Sequence, residues 1–169
     1  GSWGSQGKFL YSHCIEDVKE VMDFFDEPKN STKYRIKSKS YILFGHSMGG
    51  GIALLVGAED SRISKIGAFS PNPVGNAPKE LLDWVYNYTK TLFMLDINPN
   101  EFYNEILKNS TLYNPLTYKN ELSKKDILIL DENNRNREWI KKIDNIEYIL
   151  MKTDHSFSDK RLELIAQVK

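Results

Sequence analysis

Gly45-His46-Ser47-Met48-Gly49 sets a serine between two glycines at a spacing of two, and Gly50 and Gly51 follow at once. The apolar run Tyr41-Ile42-Leu43-Phe44 precedes it and another, Ile52 to Val56, continues beyond. The serine therefore falls where a strand gives way to a helix, the setting in which this pentapeptide acts as a nucleophile elbow. A sharp turn there lifts the hydroxyl clear of the sheet and forces strained backbone geometry on the serine. Residues two positions away come close enough to demand glycine at 45 and 49. The first N–H groups of the helix, that of Met48 foremost, point at the same spot and can donate to an oxyanion. Gly50 and Gly51 suit close packing of that helix against neighbouring strands.

A serine hydroxyl is a weak nucleophile without a base, so a histidine is required. The chain has three. His46 adjoins Ser47, and adjacent side chains on such a turn point apart, which leaves it to line the pocket or pack. His13 lies at the start of a helix, in a surface or capping position. His155, in the segment Met151-Lys152-Thr153-Asp154-His155-Ser156-Phe157, follows the last strand, and strand ends of a parallel sheet are where catalytic loops gather. His155 is the expected base. Asp154 and Asp159 flank it and are expected to bond locally or cap the final helix.

The elements that must position these groups read as follows. A helical stripe, Ile15, Val18, Met22 and Phe25, begins at Ser12, which can cap it, and is stopped by Pro28. Residues 29–39 read as an exposed connection. Tyr41–Phe44 is short and apolar throughout, which suits a strand covered on both faces. Ile63–Phe69, Ile127–Leu130 and Ile146–Met151 read as three further strands. Helical patterns lie near Leu81–Leu95, Glu101–Leu107, Glu138–Ile143 and Ser158–Val168. This alternation predicts a single α/β domain over residues 1–169, with a mostly parallel sheet flanked by helices. The helical block 79–122 is either a small cap insertion or a crossover that happens to contain two helices. Trp84, Tyr86, Tyr88, Phe93 and Met94 within it either line an apolar acyl pocket or pack a core.

Three segments, GSWGSQGKF at the start, FGHSMGGGIAL at the elbow and TDHSFSDKR around the histidine, resemble the α/β-hydrolase superfamily, specifically its bacterial members like dienelactone hydrolase and serine aminopeptidase. The resemblance spans nearly the whole chain. It implies acyl transfer by a Ser-His-acid triad, with Ser47 attacking and His155 taking and returning the proton, on a small-molecule or short-peptide substrate. It also implies that Asn134 occupies the position of the acid, a departure from the family pattern, since a carboxamide can orient a histidine but stabilises an imidazolium poorly. Asp131 and Glu132 lie in the same turn and could substitute with a small loop shift; position favours Asn134 and chemistry favours Asp131. Only the last four strands of the family find counterparts, and the opening GSWGSQG matches the loop after its fourth strand. The expectation is a chain that begins in mid-fold, with a preceding segment or another chain supplying the early strands and the second oxyanion donor. A non-catalytic binding or scaffold protein with a degenerate triad is the competing class. A haloalkane dehalogenase is disfavoured, because that chemistry wants aspartate at the elbow.

Bulk composition narrows the alternatives. With 23 basic and 23 acidic residues the formal net charge is zero, which argues against a nucleic-acid or anionic-membrane partner. The single cysteine, Cys14, excludes an internal disulfide framework and fits a reducing, cytoplasmic compartment. No apolar run reaches membrane-spanning length and no signal peptide is expected. Three scattered histidines and one cysteine show no ligand spacing, so neither metal nor cofactor is expected. Asn30, Asn87 and Asn109 head glycosylation sequons, which a chain rich in asparagine produces by chance.

Overall fold

A computed structural model describes residues 1–168. In chain order the elements are helices α1 (Tyr11–Asp26) and α2 (Pro28–Tyr34), strand β1 (Tyr41–His46), helix α3 (Met48–Glu59) and strand β2 (Ile63–Phe69). Helices α4 (Lys79–Thr89) and α5 (Pro99–Lys108), a 3₁₀ turn at Pro115–Tyr118 and the short helix α6 (Lys119–Leu122) come next. Strand β3 (Asp126–Asp131), helix α7 (Arg137–Ile140), strand β4 (Ile146–Leu150) and helix α8 (Arg161–Gln167) complete the chain. These elements group into two compact units, a helical one formed by residues 1–38 and 73–117 and a sheet-bearing one formed by residues 39–72 and 118 onward.

In the sheet unit the four strands lie in the order β1-β2-β3-β4, and every pairing is parallel. The register sets Gly45 beside Ala68, Phe69 beside Leu130, and Asp131 beside Leu150, so the carboxyl ends of all four strands reach one rim. Helix α3 is buried from Gly50 to Ala58 without a polar face, as its continuous apolar and glycine sequence requires. Strand β1 departs from the expected two-sided burial. Ile42 and Phe44 are 53% and 54% exposed and alternate with better covered neighbours, because successive strand side chains point to opposite faces and the face bearing these two is open. The Phe44 ring lies over Gly67, where an added Cβ would meet it at 2.4 Å, and stacks near Phe69.

The helical unit buries Tyr11, Met22, Phe102, Ile106 and Tyr113. Ser12 does not cap α1. The helix starts at Tyr11 with Leu10 in the capping position, which offers no side-chain acceptor. Glu105 of α5 fills that role from a distance: its Oε2 accepts from the Tyr11 N–H at 3.0 Å and its Oε1 from the Ser12 N–H at 2.8 Å. The Tyr113 hydroxyl donates to the same Oε1 at 2.8 Å. Pro28 ends α1 but also opens α2 as its first residue, where a missing N–H costs nothing, so the segment expected to be irregular is helical. Asn30 is buried there, and its amide donates to the Phe24 carbonyl and to Glu27, which removes it as a glycosylation acceptor.

Burial opposes ionisation of Glu105, but the hydrogen bonds from Ser12, Tyr113 and Tyr11 outweigh it and hold the carboxyl below its ordinary value of 4.5. Stability contributed by such a group is present above the unfolded value and lost as pH falls through the lowered folded value. Urea denaturation should therefore show Glu105→Gln to be less stable than wild type by about 1–3 kcal/mol at pH near 6, with the gap closing in acid. A gap that persists unchanged in acid would refute this role for the charge.

Candidate active site

Ser47 sits between β1 and α3 with φ 56° and ψ −120°, a left-handed conformation rare for a residue with a side chain. Its N–H donates to the Phe69 carbonyl at 2.8 Å, and its carbonyl accepts from the N–H groups of Asn72, Gly50 and Gly51 at 2.9, 3.0 and 3.2 Å. The turn is tight enough that a Cβ on Gly45 would lie 2.1 Å from the Gly49 carbonyl oxygen, so glycine is obligatory at 45. A Cβ on Gly49 would meet nothing within 4 Å, so the steric need expected at that position does not hold. Gly50 allows α3 to approach Pro71, whose Cα would lie 3.1 Å from an added Cβ. Met48 is the first residue of α3, where the N–H has no carbonyl one turn back to bond.

The loop after β4 brings His155 to this turn, with its Nε2 3.0 Å from Ser47 Oγ. On the other side of the ring, Nδ1 lies 3.1 Å from Glu132 Oε1. An ionised carboxylate can only accept, so Nδ1 carries the proton and Nε2 presents a lone pair to the serine hydroxyl. Glu132, in the turn after β3, is 8% exposed at its side chain. Its Oε2 accepts from the Ser70 hydroxyl at the end of β2, and its Oε1 pairs with the Arg135 guanidinium at 3.3 Å. Burial opposes its ionisation, but the hydrogen bonds from Ser70, its own backbone N–H and His155 prevail and hold it well below the usual carboxylate range. Each strand thus delivers one group to the rim: Ser47 after β1, Ser70 after β2, Glu132 after β3 and His155 after β4.

The carboxylate that meets the His155 ring is neither Asn134 nor Asp131, the two residues ranked first from the sequence, but Glu132 of the same turn. Asn134 is exposed on the turn, where its carbonyl accepts from the Arg137 N–H, and it does not reach His155. Asp131 is fully buried, because one step along extended chain reverses the side-chain direction and sends it inward while Glu132 faces the rim. Two other groups stand at the site: Arg135, which nothing in the sequence marked, and His46, which lines the adjoining cavity as expected. Arg135 donates to the Ser70 carbonyl at 3.1 Å and lies 3.4 Å from His155 Nδ1, so it shares Glu132 with the imidazole. His46 contacts the His155 carbonyl through Nε2 at 2.7 Å, with ring centroids 4.8 Å apart, and so braces the loop.

That loop is fixed from both sides. Asp154 accepts from the N–H groups of Ser156 and Ser158, each at 2.9 Å, and Thr153 bonds Asp159, so the flanking acids act locally as expected. Phe157 is 1% exposed and packs with Leu130 and Met151, adopting φ 54° to reach that pocket. A surface cavity of about 400 Å³, lined by His46, Ser156, Arg161, Leu164 and Ile165, borders the site through His46. His13 contacts the Lys8 carbonyl in the helical unit. Trp84 and Tyr88 of α4 are about half exposed and stack on each other at 5.0 Å. Among the described residues no cluster of histidine, cysteine and acidic side chains could hold a metal ion, and no helix is long and apolar enough to cross a membrane.

No family model and no curated protein matches the chain. Solved structures do. An esterase of Pyrococcus furiosus superposes with a TM-score of 0.64 at 21% identity, over 98% of this chain and 62% of its own. A carboxylesterase of the thaumarchaeon Nitrososphaera gargenis gives 0.63 at 13% identity, over 98% and 72%. The bottromycin epimerase BotH gives 0.60 at 16% identity, over 99% and 75%. The chain spans less than two thirds of the length of the Pyrococcus esterase, and its fold is that of the α/β hydrolases.

The geometry of the turn makes a differential prediction. Gly45→Ala should destabilise the protein by about 3 kcal/mol or more, since two backbone segments cannot separate without dismantling the elbow. Gly49→Ala should fall within about 1 kcal/mol of wild type. Denaturant titration of both variants, with equal losses for the two, would contradict the account of the turn.

Proposed function

We propose that the α/β-hydrolase fold of this chain carries a serine-dependent acyl-transfer centre, in which Ser47 is the nucleophile, His155 the general base and Glu132 the acid, acting on an ester, thioester or small amide. The observation that supports it most directly is the unbroken chain from Ser47 Oγ through both ring nitrogens of His155 to Glu132, at 3.0 and 3.1 Å. As Ser47 Oγ bonds to the substrate carbonyl carbon, its proton passes to His155 Nε2. The imidazolium so formed lies against a carboxylate held ionised by Ser70 and the backbone. The carbonyl electron pair moves onto oxygen, toward the Met48 N–H at the head of α3. Collapse of the tetrahedral adduct expels the leaving group with the proton from Nε2. Water then attacks the acyl-serine by the same route and frees Ser47. The cavity beside His46 offers room for the acyl or leaving group.

The competing reading is a binding or scaffold protein that keeps the fold without turnover, and Arg135 favours it. A guanidinium 3.4 Å from His155 Nδ1 opposes a positive imidazole and draws on the same Glu132 oxygen. The fold itself carries chemistries other than ester hydrolysis, as the epimerase among its neighbours shows.

A fluorophosphonate probe separates the two. Wild type should be labelled at Ser47, and Ser47→Ala and His155→Ala should not be. In p-nitrophenyl ester hydrolysis, Glu132→Gln should lower kcat by roughly 10³–10⁴-fold, the scale seen when the acid of such a triad is neutralised. Asn134→Asp should change it little, because residue 134 does not reach the ring. An unlabelled wild type, or an Asn134→Asp variant that gains activity strongly, would overturn the assignment.

A further inference from the structure

Asp131 lies next to the acid of the site, fully buried, and the triad makes no use of it. Its Oδ2 accepts from the Asn136 amide at 3.0 Å, and its Oδ1 has no hydrogen-bond donor. The Asn136 amide cannot be turned to help further, because its Oδ1 accepts from Trp139 Nε1 at 3.0 Å and its Nδ2 also donates to the Pro71 carbonyl at 2.9 Å. The Tyr148 hydroxyl stands 3.4 Å from Asp131 Oδ2, but its single proton is directed to the Asn133 carbonyl at 3.0 Å. One firm donor for a whole buried carboxylate is a poor environment for a negative charge. Glu132, by contrast, faces three donors: Ser70, His155 and Arg135.

The charge on neighbouring Glu132 raises the cost of a second negative charge on Asp131. We propose that Asp131 is a positioning residue that carries a proton: neutral, buried and bonded to Asn136, it fixes the turn from which Glu132, left charged, faces His155. The inference rests on the triad reading for its function, though not for the location of the proton. Burial, reinforced by the adjacent Glu132 charge, pushes the Asp131 carboxyl well above the usual carboxylate range. The ionisable groups that face it are Glu132 and Arg135 from its own turn and Tyr148 from β4. From the end of β2 come only uncharged partners among the described residues, the Ser70 hydroxyl on Glu132 and the Pro71 carbonyl on Asn136.

Infrared spectroscopy of the whole chain with ¹³C-labelled aspartate tests the proton directly. At a pH of about 6, roughly two units above an ordinary aspartate, wild type should show a carboxylic-acid carbonyl band that Asp131→Asn lacks. A wild-type spectrum without that band overturns the proposal. Kinetics test the positioning role. Asn keeps a donor and an acceptor where protonated Asp has them, so Asp131→Asn should retain kcat/KM within about tenfold, whereas Asp131→Leu should lose about 10²-fold. Equal losses in both variants would show that the ionised form is the one needed and sink the idea. Should wild type hydrolyse no ester, the triad reading fails, while the infrared band still decides where the proton lies.

Discussion

Four backbone hydrogen bonds hold Ser47 in a conformation that costs on the order of 1–3 kcal/mol in isolation. At about 0.5–1.5 kcal/mol each, those bonds are enough to offset the strain. They run to the last residue of β2, to the loop beyond it and to the first turn of α3, so the serine is tied to its neighbours before any side chain is considered. The rest of the sheet unit follows from that tie. Gly45 has to lack a side chain, α3 has to pack within reach of Pro71, and β2 has to end level with β1 so that Ser70 emerges beside the turn.

The second constraint is electrical. The Glu132 carboxylate, one guanidinium and one imidazole share the rim of β3 and β4, and a second carboxyl, that of Asp131, lies buried just inside it. The hydrogen bonds sort them: Glu132 is surrounded by donors and Asp131 is nearly without them. Arg135 is the least settled member, since it divides its guanidinium between the Ser70 carbonyl and Glu132 while crowding His155.

Much of this was legible in the residues. The elbow was, because glycine and serine spacing between two apolar runs is a local pattern with a local cause. His155 was, because it follows the last strand of a parallel set. The acid was not: which of Asp131, Glu132 and Asn134 meets the ring depends on where Ser70 and Asn136 stand, and those contacts cross 62 and 65 positions of sequence. The cap of α1 was hidden for the same reason, since Glu105 lies more than ninety residues from the N–H groups it satisfies. Pro28 misled differently. Proline both stops a helix and starts one, and only the backbone beyond it tells which. The run Tyr41–Phe44 announced a strand correctly but not the open face on which Ile42 and Phe44 stand.

That open face bears on the behaviour of the protein in solution. Among the described residues β1 stands first in the strand order and presents two large apolar side chains, a surface suited to apolar covering by further chain or by another molecule. Equal numbers of acidic and basic residues leave no net repulsion between molecules near neutrality. General-base chemistry by an imidazole calls for that same range of pH. This stretch of chain therefore adds no electrostatic repulsion in the range of pH where the proposed chemistry would run best.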